Sequence, residues 1–540
     1  MSPTRVRWLM LAAAAVVLVV HSLRYNFVTD DAYISFVFSR NFAEHGQLAF
    51  NLGSPVEGYT NFLWTLILGL LMLVGVSPEI SSRVLGTACA LGTLYLATRT
   101  MDHALGRRSP WCAVPAVVLA CSSGFACWTS GGLETQLFTL LVTGALEATV
   151  ASVEHPKALR RAGILCALAA MTRPEGVLIF VLLGGARLVF WFVEARRTKQ
   201  WTLRPELYAI GCFLVLWAPW FAWRALYYGY WAPNTYYVKA HGPWTPPALA
   251  RQMLEHGFHY VWVWTKQTKL VYGVPFALIG VGTALARPAT ARGLLAVACA
   301  LVSGGYLAYA ISVGGDFMGL HRFIMPVFVT AAISVVLGVE WINSSLPRTW
   351  RFVAILPAGM LAVGFVASQV GLTRESIDRT NTRADAGVID TPAFLMIYTE
   401  NRAAIGRAMA PCFRPDDMSI VGGAGAQPYF GRMRAIDVFG LVSEAIAHDE
   451  PRIRARAGHT KFGNDRLLAS YDPTFVFSCY SIQRTPDQPH LGCEPFWKPR
   501  GYEEVTIHVP ELQDEGDWHG TYYTFLAKTS RAFTCPNRVH

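Results

Sequence analysis

Apolar runs of membrane-spanning length recur along most of the chain, at roughly 8–23, 62–76, 80–98, 111–127, 134–152, 160–172, 174–193, 206–227, 270–286, 293–311, 323–343 and 350–369. A helix rising 1.5 Å per residue needs about 20 such residues to cross a ~30 Å hydrocarbon core. The polar links between the runs are of two kinds. Arg107-Arg108, Lys157–Arg161, Arg196–Arg204, Arg287–Arg292 and Arg348–Arg351 are basic, which places them on the cytoplasmic side. The stretches 24–62, 128–135, 172–176, 227–244 and 314–322 carry carboxylates and amides with a few cations, and fall outside.

The first run follows Arg5 and Arg7 and shows no evident cleavage site, so it reads as a retained anchor. The run 62–76 is short and breaks the alternation of sides. Read as a dip into the membrane or a surface helix, it leaves about eleven transmembrane helices. Beyond residue 371 the apolar runs shorten and charges and Gly/Pro turns return. Patches such as MSIVGGAG, TFVFSCY, EEVTIHV and YYTFLA predict strands, while 395–410 and 441–450 predict helices. The expected fold is an α-helical polytopic membrane domain over 1–371, with its first external loop at 24–62. A soluble extracytoplasmic α+β domain follows over 372–540, assigned to glycan or acceptor binding.

Composition agrees: 53% hydrophobic and 15% charged residues exclude a soluble enzyme and a disordered chain. The net charge of +10 would suit nucleic acid, but the cations sit in the short links, so the partner is the bilayer and no nucleic acid is expected. Seven of the 11 cysteines lie in apolar spans and read as small core residues. Cys412, Cys479, Cys493 and Cys535 lie in the tail, where up to two disulfides with three alternative pairings are open. The chain has no GxxxxGK[ST], HExxH or GxSxG motif, and Gly422-Gly423-Ala424-Gly425 does not match GxGxxG.

The outside links share a chemistry. They hold Asp30 and Asp31, Glu57 and Asn61, Glu134, Arg173 and Glu175, Asn234 and Lys239, then Asp316, His321 and Arg322. Ionisable groups so close to hydrocarbon are costly and point to function. Carboxylates handle hydroxyls, and Arg or Lys hold phosphate, so the mixture suits a polyol joined to an anionic lipid phosphate. Each signal has a structural counterpart. Asp30, Asp31 and Glu134 also suit helix starts; Glu57 and Arg173-Pro174-Glu175-Gly176 suit turns; Asp316 and Arg322 suit an ion pair. The aromatics of Trp201 to Tyr237, among them Trp217, Trp220, Trp223, Tyr227, Tyr228, Tyr230 and Trp231, read as an interfacial belt, with a sugar-stacking platform as the alternative. No cofactor is called for, although the clustered carboxylates leave a divalent metal open.

Read in order, Asp30-Asp31-Ala-Tyr-Ile-Ser, Phe50-Asn51, Val56-Glu57-Gly58-Tyr59-Thr60-Asn61-Phe-Leu-Trp64, Gly131-Gly132-Leu133-Glu134-Thr135, Arg173-Pro174-Glu175-Gly176, Pro233-Asn234-Thr235-Tyr236-Tyr237 and Gly314-Gly315-Asp316-Phe317-Met318 resemble bacterial GT-C glycosyltransferases. The likeness is to those related to the terminal arabinofuranosyltransferase of cell-wall arabinan. Ile436-Asp437-Val438-Phe439-Gly440-Leu441 and Gly458-His459-Thr460-Lys461 resemble the exported domain of that group. The resemblance implies transfer of a sugar, arabinofuranose by nearest likeness, from a polyprenyl-phosphate donor to a glycan or protein acceptor. The reaction would take place at the outer face of the bacterial cytoplasmic (inner) membrane.

It also implies that Asp30 or Asp31 is the catalytic carboxylate, and that Glu134 is a second acidic residue of an external loop. Glu57, Tyr59, Asn61, Glu134, Asn234, Tyr236, Asp316, Asp437 and His459 are the sugar and acceptor candidates. Arg173, Lys239, His321 and Arg322 are the candidates for the donor phosphate, on charge. Transfer of another lipid-linked sugar, such as mannose, to protein or lipid is the alternative, as is transport of a lipid-linked sugar. Retention and inversion at the anomeric carbon both stay open.

Overall fold

The computed structural model describes the chain apart from residues 107, 241–244, 381–388, 488–490, 532 and 540, so Arg107 of the basic links and the end of the 227–244 link lie outside the described residues. Among the described residues, sixteen α-helices build the first part. They are α1 (Pro3–Ser22), α2 (Asp30–His45), α3 (Phe62–Leu73), α4 (Pro78–Leu105), α5 (Val114–Cys121), α6 (Ser123–Cys127), α7 (Thr135–Ala151), α8 (Ala158–Thr172), α9 (Gly176–Thr198), α10 (Arg204–Tyr228), α11 (Asn234–Lys239), α12 (Pro247–Gln267), α13 (Leu270–Leu285), α14 (Ala291–Ser312), α15 (Met325–Ser345) and α16 (Phe352–Ser376). Local chemistry sets several ends. Ser2 accepts from the Arg5 amide beside Pro3 at the start of α1. Asp30 and Asp31 place negative charge in the first turn of α2, which Gly46 ends at φ 70°.

The count of about eleven spans is not reproduced as eleven long helices. Among the described residues, seven helices are long and apolar enough to cross a membrane, or eight if α12 and α13, bent 90° apart, form one span. Three more apolar helices are short, among them α3 with 12 residues and α7 with 17. Hydropathy marks what avoids water but does not separate lipid-facing from protein-buried surface. Helix α7 is buried along nearly its whole length and packs between α4 and α8, so it is apolar because it is interior. Helices α10 and α16 instead show their apolar side chains on the outside, as a lipid-facing helix does. At ~1.5 Å per residue, α3 is about 18 Å long, too short to cross.

The last long helix runs past residue 371 to Ser376. After it come α17 (Pro392–Met409), α18 (Ala426–Gly431), α19 (Glu444–His448) and a six-stranded mixed sheet. Its strands are β1 (Met418–Val421), β2 (Arg434–Asp437), β3 (Phe475–Gln483), β4 (Tyr502–His508), β5 (Tyr522–Lys528) and β6 (Arg538–Val539), in the order β2-β1-β3-β5-β4-β6. β1 is parallel to β2 and β3, and the remaining pairs are antiparallel. The period-2 alternation splits the strands between two cores. Ile420, Val476 and Leu526 pack on one face with Trp497, while Val421, Phe475, Phe477 and Phe525 pack on the other. The second core also contains Ile34, Val37 and Phe38 of α2, so the sheet domain is seated on the helix that starts at Asp30. Asn51 fastens the edge of β2, donating to the Ala435 carbonyl at 2.9 Å and accepting from its amide at 3.0 Å. Disulfides join Cys412 to Cys535 and Cys479 to Cys493.

Candidate active site

A cavity of about 310 Å³ lies where the start of α2, the Glu57–Phe62 turn, the starts of α7 and α9, the aromatic end of α10, α11, the end of α14 and the Gly315–Phe323 segment meet the C-terminal domain. Most of the carboxylate-bearing links therefore share one cavity, though far apart in sequence.

The two adjacent aspartates part company here. Asp31 lines the cavity, and no described residue donates a hydrogen bond to its carboxylate. Burial raises its pKa, Lys239 and Arg322 oppose that rise, and Asp316 and Glu134 reinforce it. Asp30 faces the C-terminal domain and accepts from the Ala426 amide at 2.7 Å. The backbone there is so close that a methyl on Gly425 would overlap the Asp30 carbonyl oxygen.

The other cavity carboxylates are paired. Glu57 makes a two-pronged ion pair with Arg224, both contacts at 2.8 Å. Glu134 accepts from Arg173 at 2.7 Å and from the Asn61 amide at 2.8 Å, and Asn61 in turn accepts from Ser35 and Thr65. Burial alone would raise Glu134, but Arg173 and Arg322 with the Asn61 amide hold it below the ordinary carboxylate range. Arg173 also donates to both oxygens of Glu175, at 3.3 and 3.2 Å. Asp316 accepts from Nε of Arg322 at 3.3 Å. Among the charged side chains lining the cavity, Asp31 and Lys239 are the two with no ion-pair partner among the described residues.

The remaining candidates fall in several places. Tyr236 lines the cavity and is well exposed. Tyr59 also lines it, but its hydroxyl is held at 3.0 Å by that of Tyr228, which donates to the Leu48 carbonyl. Asn234 braces the wall from behind: its amide donates to the Glu57 carbonyl at 3.1 Å and its side chain to that of Leu441 at 3.2 Å. Asp437 is buried under the Leu441 loop and accepts from the Leu441 and Val442 amides at 3.0 and 2.7 Å, so it shapes a loop that reaches the cavity. His459 sits edge-on between Phe317 and Phe439, its pKa pushed down to about 4 by burial. His321 packs on the Tyr260 ring behind the wall, at a φ of 61°. Arg173, saturated by two carboxylates, is a framework residue, which leaves Lys239 and Arg322 facing the cavity for an anion.

Arg224 is not among the residues expected from the sequence because it lies inside an aromatic run, though a lone guanidinium in an apolar helix is a signal in itself. Trp217, Trp220, Phe221 and Trp231 form one apolar wall of the cavity, with Trp231 largely exposed at its edge. Among the described residues no group of three or more His, Cys, Asp or Glu side chains is arranged to hold a metal ion.

Comparison with known proteins places this architecture. Residues 393–526 match a family model described as a domain of unknown function, DUF8728. The chain is 24% identical to the terminal beta-(1->2)-arabinofuranosyltransferase of Mycobacterium tuberculosis, with 84% of each protein covered. In three dimensions it is similar to ArnT from Cupriavidus metallidurans bound to undecaprenyl phosphate, with a TM-score of 0.55, 12% identity and 96% and 97% of the two chains covered. It is also similar to the Archaeoglobus fulgidus oligosaccharyltransferase in the apo form, at a TM-score of 0.52, 9% identity and coverage of 95% and 75%. The likeness read from the motifs thus holds in fold and in sequence: the chain is a multi-pass membrane protein with the GT-C glycosyltransferase fold, similar over most of its length to an arabinofuranosyltransferase.

Proposed function

We propose that this protein transfers a sugar, arabinofuranose, from a polyprenyl-phosphate donor to a glycan acceptor at the outer face of the cytoplasmic membrane. One observation carries the reading. In a cavity whose other charges are paired, one carboxylate, Asp31, and one ammonium, Lys239, are left without ion-pair partners among the described residues. A glycosyl transfer from a lipid phosphate needs both: a carboxylate at the reacting centre and a cation for the phosphate that leaves. Asp31 serves at the reacting centre, and the phosphate departs towards Lys239 and Arg322, which line the same cavity. The Trp217–Trp231 wall gives the first prenyl units an apolar surface, and the sheet domain, which supplies Leu441, Ala457 and Gly458 to the lining, presents the acceptor. The sugar is assigned from the likeness to the mycobacterial arabinofuranosyltransferase.

The test is transfer of labelled sugar from synthetic polyprenyl-phosphate arabinofuranose by the full-length protein in nanodiscs, beside the matching mannose donor. Asp31→Asn is expected to lower kcat by about 10²–10⁴-fold, the range for loss of a positioned acid or base. Lys239→Ala is expected to raise the donor KM. Undiminished turnover by Asp31→Asn would remove the assignment, and preference for the mannose donor would move the reading to another lipid-linked sugar.

A further inference from the structure

Lys239 is the last residue of α11, a helix of only six residues. A helix this short leaves its final carbonyls without intrahelical partners and has little stability of its own. Its carbonyls are satisfied from the C-terminal domain, more than 200 positions along the chain. Arg452 Nη1 donates to the Val238 carbonyl at 2.9 Å, and its Nη2 donates to the carbonyls of Tyr237, at 2.8 Å, and Ala240. Thr460 completes the arrangement: its hydroxyl donates to the same Val238 carbonyl and accepts from Arg452 Nη1 at 3.1 Å.

Arg452 is 5% exposed and has no carboxylate partner among the described residues. Burying a guanidinium without an acid is expensive, and here the compensation is the negative end of one helix, through two of its carbonyls and that of Ala240 just beyond it. From the same segment Ala457 and Gly458 enter the cavity wall. Gly458, at φ 76°, is so placed that a methyl there would lie 3.6 Å from Lys239 Cε. His448 of α19 stacks on Tyr230 and packs at a tilt against Tyr237 of α11, with ring centroids 4.1 Å apart in both pairs, a further contact between α11 and the domain.

We propose that Arg452 and Thr460 form a strap by which the C-terminal domain sets the position of Lys239, which makes that domain a part of the donor-phosphate site. The proposal rests on the reading of Lys239 as a phosphate ligand. Arg452 is a positioning residue: it holds the carbonyls that end α11, and the ammonium that follows from them meets the phosphate. An ammonium in place of the planar fork reaches fewer of these carbonyls, so charge alone does not restore the geometry.

The experiment measures donor KM and kcat for the full-length protein in nanodiscs, with thermal midpoints of every variant alongside. Arg452→Lys is expected to raise the donor KM about tenfold, the loss that goes with one or two charge-assisted hydrogen bonds, while kcat changes less than about twofold. Thr460→Val is expected to move KM the same way and Thr460→Ser to leave it near the wild-type value; this pair carries the test if Arg452→Lys does not fold.

The decisive arm is a double-mutant cycle. If Arg452 acts through Lys239, then Arg452→Lys adds nothing to Lys239→Ala. Additive losses, or a drop in kcat at unchanged donor KM, overturn the strap while leaving Lys239 in place. A Lys239→Ala variant whose donor KM equals the wild-type value overturns the phosphate reading beneath it.

Discussion

Asp30 and Asp31 show how much one residue of helical rotation decides. Successive side chains on a helix point ~100° apart. The two carboxylates at the start of α2 therefore serve different neighbours: Asp31 the cavity and Asp30 the Ala426 amide. Burial pushes the Asp30 carboxyl up to about 6, adjacent Asp31 adds to the rise, and the Ala426 amide and Arg402 oppose it. Since its folded-state value lies above the unfolded one, the folded chain keeps a proton between pH ~4 and ~6 that the unfolded chain has released. The contribution to stability is thus fully present below pH ~4 and lost as the pH rises through about 6. Asp30→Asn stays neutral and still accepts from Ala426, so its stability relative to wild type should rise from pH 4 to pH 7. The expected gain is on the order of 1–3 kcal/mol, read from unfolding midpoints across pH. A variant that grows relatively weaker over that range would show that the ionised carboxylate is the stabilising form.

At the scale of elements, α10 is tied to the loop after α2 by a buried ion pair as well as by the Tyr228 hydroxyl. Arg224 and Glu57 are both under 8% exposed, and neither has water to fall back on. Removing one partner of a buried pair leaves the other charge uncompensated, at a cost of about 3–5 kcal/mol. Glu57→Gln should therefore lower the thermal midpoint of the detergent-solubilised protein sharply, and Glu57→Gln with Arg224→Met should recover part of it. Equal midpoints for wild type and Glu57→Gln would mean that the pair does not hold the two elements together. The guanidinium was legible in the sequence, but its partner, 167 positions away, was not. Likewise the 12-residue α3 was legible as an apolar run too short to span, whereas the interior position of α7 depended on its packing neighbours.

Across the whole molecule, the sheet domain and the helical part share a core through α2, and two disulfides close the domain on itself. Cys412 and Cys535 are separated by 123 positions, Cys479 and Cys493 by 14. In the chain-entropy account the longer closure stabilises by about 5 kcal/mol and the shorter by about 3 kcal/mol. Replacing Cys412 and Cys535 by serine should lower the unfolding midpoint of the full-length protein more than the same change at Cys479 and Cys493. The reverse order would mean that strain or residual structure, not loop length, governs the two bonds. Four tail cysteines had allowed three pairings, since composition carries no information on which strand ends meet.

What the sequence determined by itself was whatever depends on local pattern: the apolar runs, the basic and acidic character of alternate links, most of the strands of the tail and the ordered motifs that resemble GT-C glycosyltransferases. These are legible because hydrophobic periodicity and charge act over a few residues. Only the tertiary structure decided which of the cavity carboxylates lacks an ion-pair partner among the described residues. Glu57, Glu134, Glu175 and Asp316 look like Asp31 in sequence, yet each is paired with an arginine, brought from a helix, from another link or from its own. The strap from Arg452 to α11 was beyond reach for the same reason, because it joins carbonyls, which every residue has, to a guanidinium more than 200 positions away. A pairing of that kind exists only once the chain has folded and the low dielectric of the interior makes an unpartnered charge costly.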